Sequence, residues 1–108
     1  MLNNSTFIGR VTKEPELSMP EGENKKAFCC FQLAVRRNNG ETDYPECVCY
    51  GSKAESFCKF IHKGDLVCVS ADYHSHFFNG IKQHEFVVYK FELIRNQRKG
   101  GDDVEIPQ

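Results

Sequence analysis

Five stretches of the chain alternate apolar and polar residues with the two-residue period of a strand, and one repeats its apolar positions every three or four residues. Thr6 to Val11 is the first strand-like run, ended by Glu14-Pro15-Glu16, because proline cannot donate to a ladder and restricts the residue before it. In Ala27 to Arg36, Cys29, Phe31, Leu33 and Val35 share one face, while Cys30, Gln32, Ala34 and Arg36 share the other. Tyr44 to Tyr50 sets Tyr44, Glu46, Val48 and Tyr50 against Cys47 and Cys49, so two aromatics share a face with a glutamate. Leu66 to Phe78 and Ile81 to Ile94 flank Asn79-Gly80, a strong two-residue hairpin signal. Val67, Val69, Ala71 and Tyr73 alternate on one of these strands, and Val87, Tyr89, Phe91 and Leu93 on the other.

Between the third and fourth strands, Ala54, Phe57, Cys58 and Ile61 recur at helical spacing. Ser52-Lys-Ala-Glu55 matches a capping box, which predicts a helix start at Ser52, and Lys63-Gly64 supplies a stop. Residues 18 to 26 are polar and rich in turn formers, and read as a loop or a hairpin tip. The order is three strands, one short helix and two strands. In a small all-β chain, that order suits a five-stranded OB barrel. The expected division is one barrel domain over residues 1 to 96 and a short flexible acidic tail over 97 to 108.

Length adds that 108 residues suffice for one modest core and not for two. No apolar run is long enough to span a bilayer, and Met-Leu-Asn-Asn-Ser does not open like a secretory leader, so a cytoplasmic protein is expected. Six cysteines contain no C-x-x-C pair, which supports neither a disulfide framework nor a zinc site. Cys29, Cys47, Cys49 and Cys68 lie in apolar runs, where a free thiol packs like a small hydrophobe. The formal charge of −1 changes meaning once divided: the last seven residues hold three acids and no base, leaving 14 bases against 12 acids before them. A slightly basic body with an acidic tip is compatible with a polyanionic ligand.

Aromatic side chains on a solvated face, accompanied by cations, are what binding of a single nucleic-acid strand requires. Bases stack on any π-face, and the cations follow the backbone. Tyr44, Tyr50 and Phe78, with Phe77 beside it, are the candidate stacking residues, and Arg10, Lys13, Arg36, Arg37, Lys53 and Lys82 the candidate backbone contacts. The same aromatics could equally serve a core or a subunit interface. His74 and His76 share a face with Phe78, and because an imidazole gains charge as pH falls through about 6.5, they predict tighter binding in mild acid. His84 across the hairpin would make three imidazoles, but no carboxylate or thiol joins them in spacing, and no metal or other cofactor is expected. No nucleophile-and-base pattern or phosphate loop stands out, so the expectation is a binding protein and not an enzyme.

Three segments carry a resemblance: Phe7-Ile-Gly-Arg-Val-Thr-Lys-Glu-Pro-Glu-Leu17, Phe31-Gln-Leu-Ala-Val-Arg-Arg37 and Tyr50-Gly-Ser-Lys-Ala-Glu55. In order and spacing they resemble the bacterial-type single-stranded DNA-binding protein family. The resemblance implies an OB barrel that binds single-stranded DNA without sequence preference, protects it in replication, recombination or repair, and assembles as a homotetramer, with a dimer as the alternative. It assigns stacking to the positions of Tyr44, Tyr50 and Phe78, whereas a fourth such position falls on Asn39. It also implies that the acidic tip, with Asp102, Asp103, Glu105, Ile106 and Pro107, contacts replication and repair proteins, although Gln108 stands where the family has phenylalanine. Ala71-Asp72-Tyr73 departs from the family's Gly-Arg-Leu and puts an acid near a usual cation. Two other readings stay open: a dimeric OB-fold adaptor of the primosomal type, and an OB domain that binds protein alone.

Overall fold

The computed structural model describes residues 1–22 and 25–97. Its elements are β1 (Ser5–Val11), β2 (Phe28–Arg36), β3 (Thr42–Asp43), β4 (Glu46–Tyr50), α1 (Gly51–Phe60), β5 (Leu66–Phe78) and β6 (Ile81–Arg95). The sheet runs β1-β5-β6-β4-β2-β3, and a further pairing of β1 with β2 closes it into a barrel. All pairings are antiparallel except β4 with β6. The all-β barrel with one short helix is as expected, but the described residues form six strands. The run expected from Tyr44 to Tyr50 splits at Tyr44-Pro45, where proline has no amide to donate and contributes only its carbonyl, to the Leu33 amide at 3.1 Å.

The inner faces of β2 and β5 follow the period, whereas in β4 Val48, expected on the face of Glu46 and Tyr50, is buried along with Cys47 and Cys49. Cys29, Phe31 and Leu33 of β2, Cys47 and Cys49 of β4, and Val67, Val69 and Ala71 of β5 are buried, while Cys30 next to Cys29 is exposed. From α1, Ala54 and Phe57 enter the core, followed by Ile61. Phe57 stacks on Phe31 at 4.1 Å between ring centres and meets Phe91 edge-on at 5.0 Å. Burial pushes the Cys47 thiol up to about 12, so it stays protonated and behaves as an apolar filler.

Two expectations need correction. The helix begins at Gly51, with Tyr50 as its N-cap and no side-chain cap, so Ser52 lies inside the first turn and the capping box does not form. The corner is made instead by Gly51, whose φ of 64° is readily available to glycine and whose amide donates to the Ala27 carbonyl at 2.7 Å. On β6, Val87, Tyr89, Phe91 and Leu93 do not form one face. The ladder slips between Ser70 and Ala71, which pair with Lys90 and Val88, so Tyr89 is the extra residue of a bulge and Val88 becomes the buried one.

Among the described residues, one charged side chain is buried with the core. Asp65 sits in the turn between α1 and β5, 1% exposed, and its oxygens accept the amides of His62 and Gln97, each at 2.8 Å. It thereby ties the start of β5 to the end of β6. Asp65→Ala strands two amides, and unfolding by denaturant is expected to show a loss of about 2 kcal/mol. A loss below about 0.5 kcal/mol would mean that other groups replace the carboxylate.

Candidate nucleic-acid interface

The β5–β6 hairpin carries the centre of the site. Asn79 (φ 53°) and Gly80 (φ 78°) are both left-handed, as a two-residue turn that follows the strand twist requires. The register then pairs His74 with Glu85, His76 with Gln83 and Phe78 with Ile81, all on one face. Asp72 pairs with Val87, and Val87 with Val48 of β4, so the outer face of β4 continues this surface. There Tyr50 is 42% exposed and its hydroxyl donates to Glu85 at 3.5 Å, which links the two elements. Partial burial, with Glu85 beside it, holds the Tyr50 phenol above its ordinary value, so the ring is neutral.

Tyr50 also has a neighbour that sequence reasoning missed. Phe28, its cross-strand partner on β2, lies 6.4 Å away at 45°, and the pair widens the aromatic platform. Ile81, 64% exposed opposite Phe78, was missed too, although the hairpin register would have supplied it. Beyond Tyr50 the same face leads through Cys30 and Gln32 to a groove of about 420 Å3 lined also by Lys13, Glu14, Glu16 and Glu46. The groove wall is pinned by Glu14, which accepts the Lys63 amide at 3.0 Å and contacts His62 Nδ1 at 2.8 Å. Those bonds lower the Glu14 carboxyl and raise the His62 imidazole.

The candidate residues therefore divide. Tyr50, His74, His76 and Phe78 are brought onto one face, with Lys13 at its far end, whereas Tyr44, 56% exposed, sits at the break between β3 and β4 and lines a cleft with Phe7, Val35 and Phe86. Arg36 pairs with Thr42 at the outer end of β2 and is exposed. Lys53 stands in the first turn of α1, half-buried, just beyond Tyr50. Phe77 and Lys82 pair with each other and project from the opposite side of the hairpin. His84 also lies on that opposite side, paired with Ser75 and in contact with Tyr73, so it does not join His74 and His76.

Two arginines are engaged elsewhere. Arg10 Nη1 donates to the Gly64 carbonyl at 3.0 Å and holds β1 to the turn before β5. Arg37 donates to both oxygens of Asp43 at 2.8 Å each and to Glu41 at 3.0 Å. The face itself carries Glu46, Asp72 and Glu85 among its aromatics, so its charge is mixed. Asp102, Asp103, Glu105, Ile106 and Pro107 lie outside the described residues.

Solved structures share the fold. The mitochondrial single-stranded DNA-binding protein Rim1 of S. cerevisiae superposes with a TM-score of 0.73 at 19% identity, over 89% of this chain and 97% of that one. The N-terminal domain of PriB from Thermoanaerobacter tencongensis, described as dimeric, gives 0.69 at 19% identity over 87% and 98%. In sequence, a protein named single-stranded DNA-binding protein 3 from Listeria innocua is 36% identical, over 94% of this chain and 69% of its own length. The single-stranded DNA-binding protein of Lactiplantibacillus plantarum is 32% identical over 90% of this chain, which spans about half (53%) of that relative. With residues 2–99 matched by the model of the single-strand binding protein family, which takes in both halves of the face just described, the chain belongs to that family.

Proposed function

We propose that the chain binds single-stranded DNA without sequence preference, stacking bases on aromatic side chains and protecting exposed strands during replication, recombination or repair in the cytoplasm. The observation that carries this reading is the register placing Tyr50, His74, His76 and Phe78 on one continuous face. Stacking asks nothing of base identity, which is why such a face serves any sequence. The protein performs no catalysis and uses no cofactor. It works as a homo-oligomer, a tetramer or a dimer, and the acidic tip extends the reading to contact with replication and repair proteins.

Titrating oligo-dT, with tyrosine fluorescence as the readout, tests this directly. Quenching and a gel shift at low salt are expected; neither appearing would leave the protein-only OB domain, and tight duplex binding would point to another mode. Because Glu46, Asp72 and Glu85 offset the cations nearby, few counterions are released on binding. The plot of log affinity against log salt should therefore have a shallow slope, of magnitude about 1 to 2. A slope of about 4 or more would mean that backbone contacts dominate.

A further inference from the structure

Glu85 stands where three strands of the aromatic face come together. On β6 it is half-buried and lies opposite His74 of β5. From β4 the Tyr50 hydroxyl donates to it at 3.5 Å. Its field extends to β2, where burial first, then Cys29, Glu85 and Glu46, push the exposed Cys30 thiol up. Among the described residues no lysine, arginine or histidine forms an ion pair with Glu85, so its charge is left facing the ligand side. A base stacked on Tyr50 brings its own phosphates within a Debye length of that charge, about 10 Å at 0.1 M salt.

We propose that Glu85 acts on the bound strand in two opposed ways: its charge repels the phosphates, and its acceptor oxygen positions the Tyr50 ring for stacking. The inference rests on the single-strand reading above and assigns to that site a residue that limits its grip. A carboxylate can do both because it is an acceptor that carries charge. The two effects separate by salt, since repulsion across solvent is screened and a hydrogen bond is not.

The test measures oligo-dT affinity for the wild type, Glu85→Gln, Glu85→Ala and Tyr50→Phe. Glutamine keeps an acceptor for the Tyr50 hydroxyl and removes the charge, so at about 0.05 M salt Glu85→Gln should bind about threefold tighter. On oligo-dT with an uncharged methylphosphonate backbone, Glu85→Gln and the wild type should bind alike. A gain of less than about 1.5-fold at low salt, or an equal gain on the uncharged backbone, would overturn the repulsive role. At about 1 M salt, where the Debye length is about 3 Å, Glu85→Gln should match the wild type. Glu85→Ala and Tyr50→Phe should each bind about threefold more weakly there, and combining them should cost no more than either alone. Equal binding by Glu85→Ala and Glu85→Gln at that salt would overturn the positioning role. If the wild type does not bind oligo-dT at all, the single-strand reading itself fails, which distinguishes the two failures.

Discussion

Replacing Tyr50 or Phe78 with alanine is expected to weaken oligo-dT binding by about 1 to 3 kcal/mol each, or roughly 5- to 150-fold, and the deficit should persist at high salt. That magnitude is the general one for stacking on single-strand binders, carried over to this chain. Two observations single out these rings. Tyr50 is flanked by Phe28 on the neighbouring strand and anchored through Glu85, so little rotamer freedom is lost on binding. Phe78 is 65% exposed beside the turn, with Ile81 as its cross-strand partner, so its face is available to a base. Lys13→Ala should cost less, and its cost should vanish as salt rises, because a single exposed cation contributes through counterion release. Phe77→Ala, on the far side of the hairpin, discriminates further. A loss equal to that of Phe78→Ala would mean that the strand wraps both faces, whereas equal losses for Tyr50, Phe78 and Lys13 that disappear in salt would reduce the surface to an electrostatic one.

Much of this face could be read before folding, since alternation depends only on neighbours within a strand. The faces of β2, the Asn79-Gly80 turn and the grouping of His74, His76 and Phe78 follow from local spacing. Features that depend on two distant segments could not be read in that way. The slip at Ser70/Ala71 exists only between β5 and β6, and it reverses the expected faces of Val87 and Val88. Arg10 and Arg37 look like ligand cations in sequence, and folding supplies them with Gly64 and Asp43 instead. Asp65 looks like an ordinary turn acid until the Gln97 amide arrives from 32 residues away. The capping box failed for a different reason: a left-handed glycine one residue earlier already makes the corner.

Gly9 shows most sharply how a residue can be conspicuous in a motif yet unexplained until the barrel closes. A Cβ built at this position would stand 2.5 Å from the Ala34 carbonyl oxygen and 2.9 Å from Val35 Cγ2. The nearer atom belongs to backbone, so no side-chain rotation relieves the clash, and the strands must separate. They do so at the seam, since Arg10 pairs with Ala34 and Val11 with Leu33 to join β1 to β2 and complete the ring. Gly9→Ala is therefore expected to cost about 3 kcal/mol, the upper end for an overpacked site, and to lower the melting temperature on the order of 10 to 20 °C. Thermal unfolding followed by circular dichroism measures it, and a shift under about 3 °C would show that the seam tolerates a methyl group. The same substitution leaves Tyr50 and Phe78 on strands β4 and β5, away from the seam. At a temperature where the variant is folded, its affinity for oligo-dT should stay close to wild type, so closure and stacking are separable contributions of the sheet.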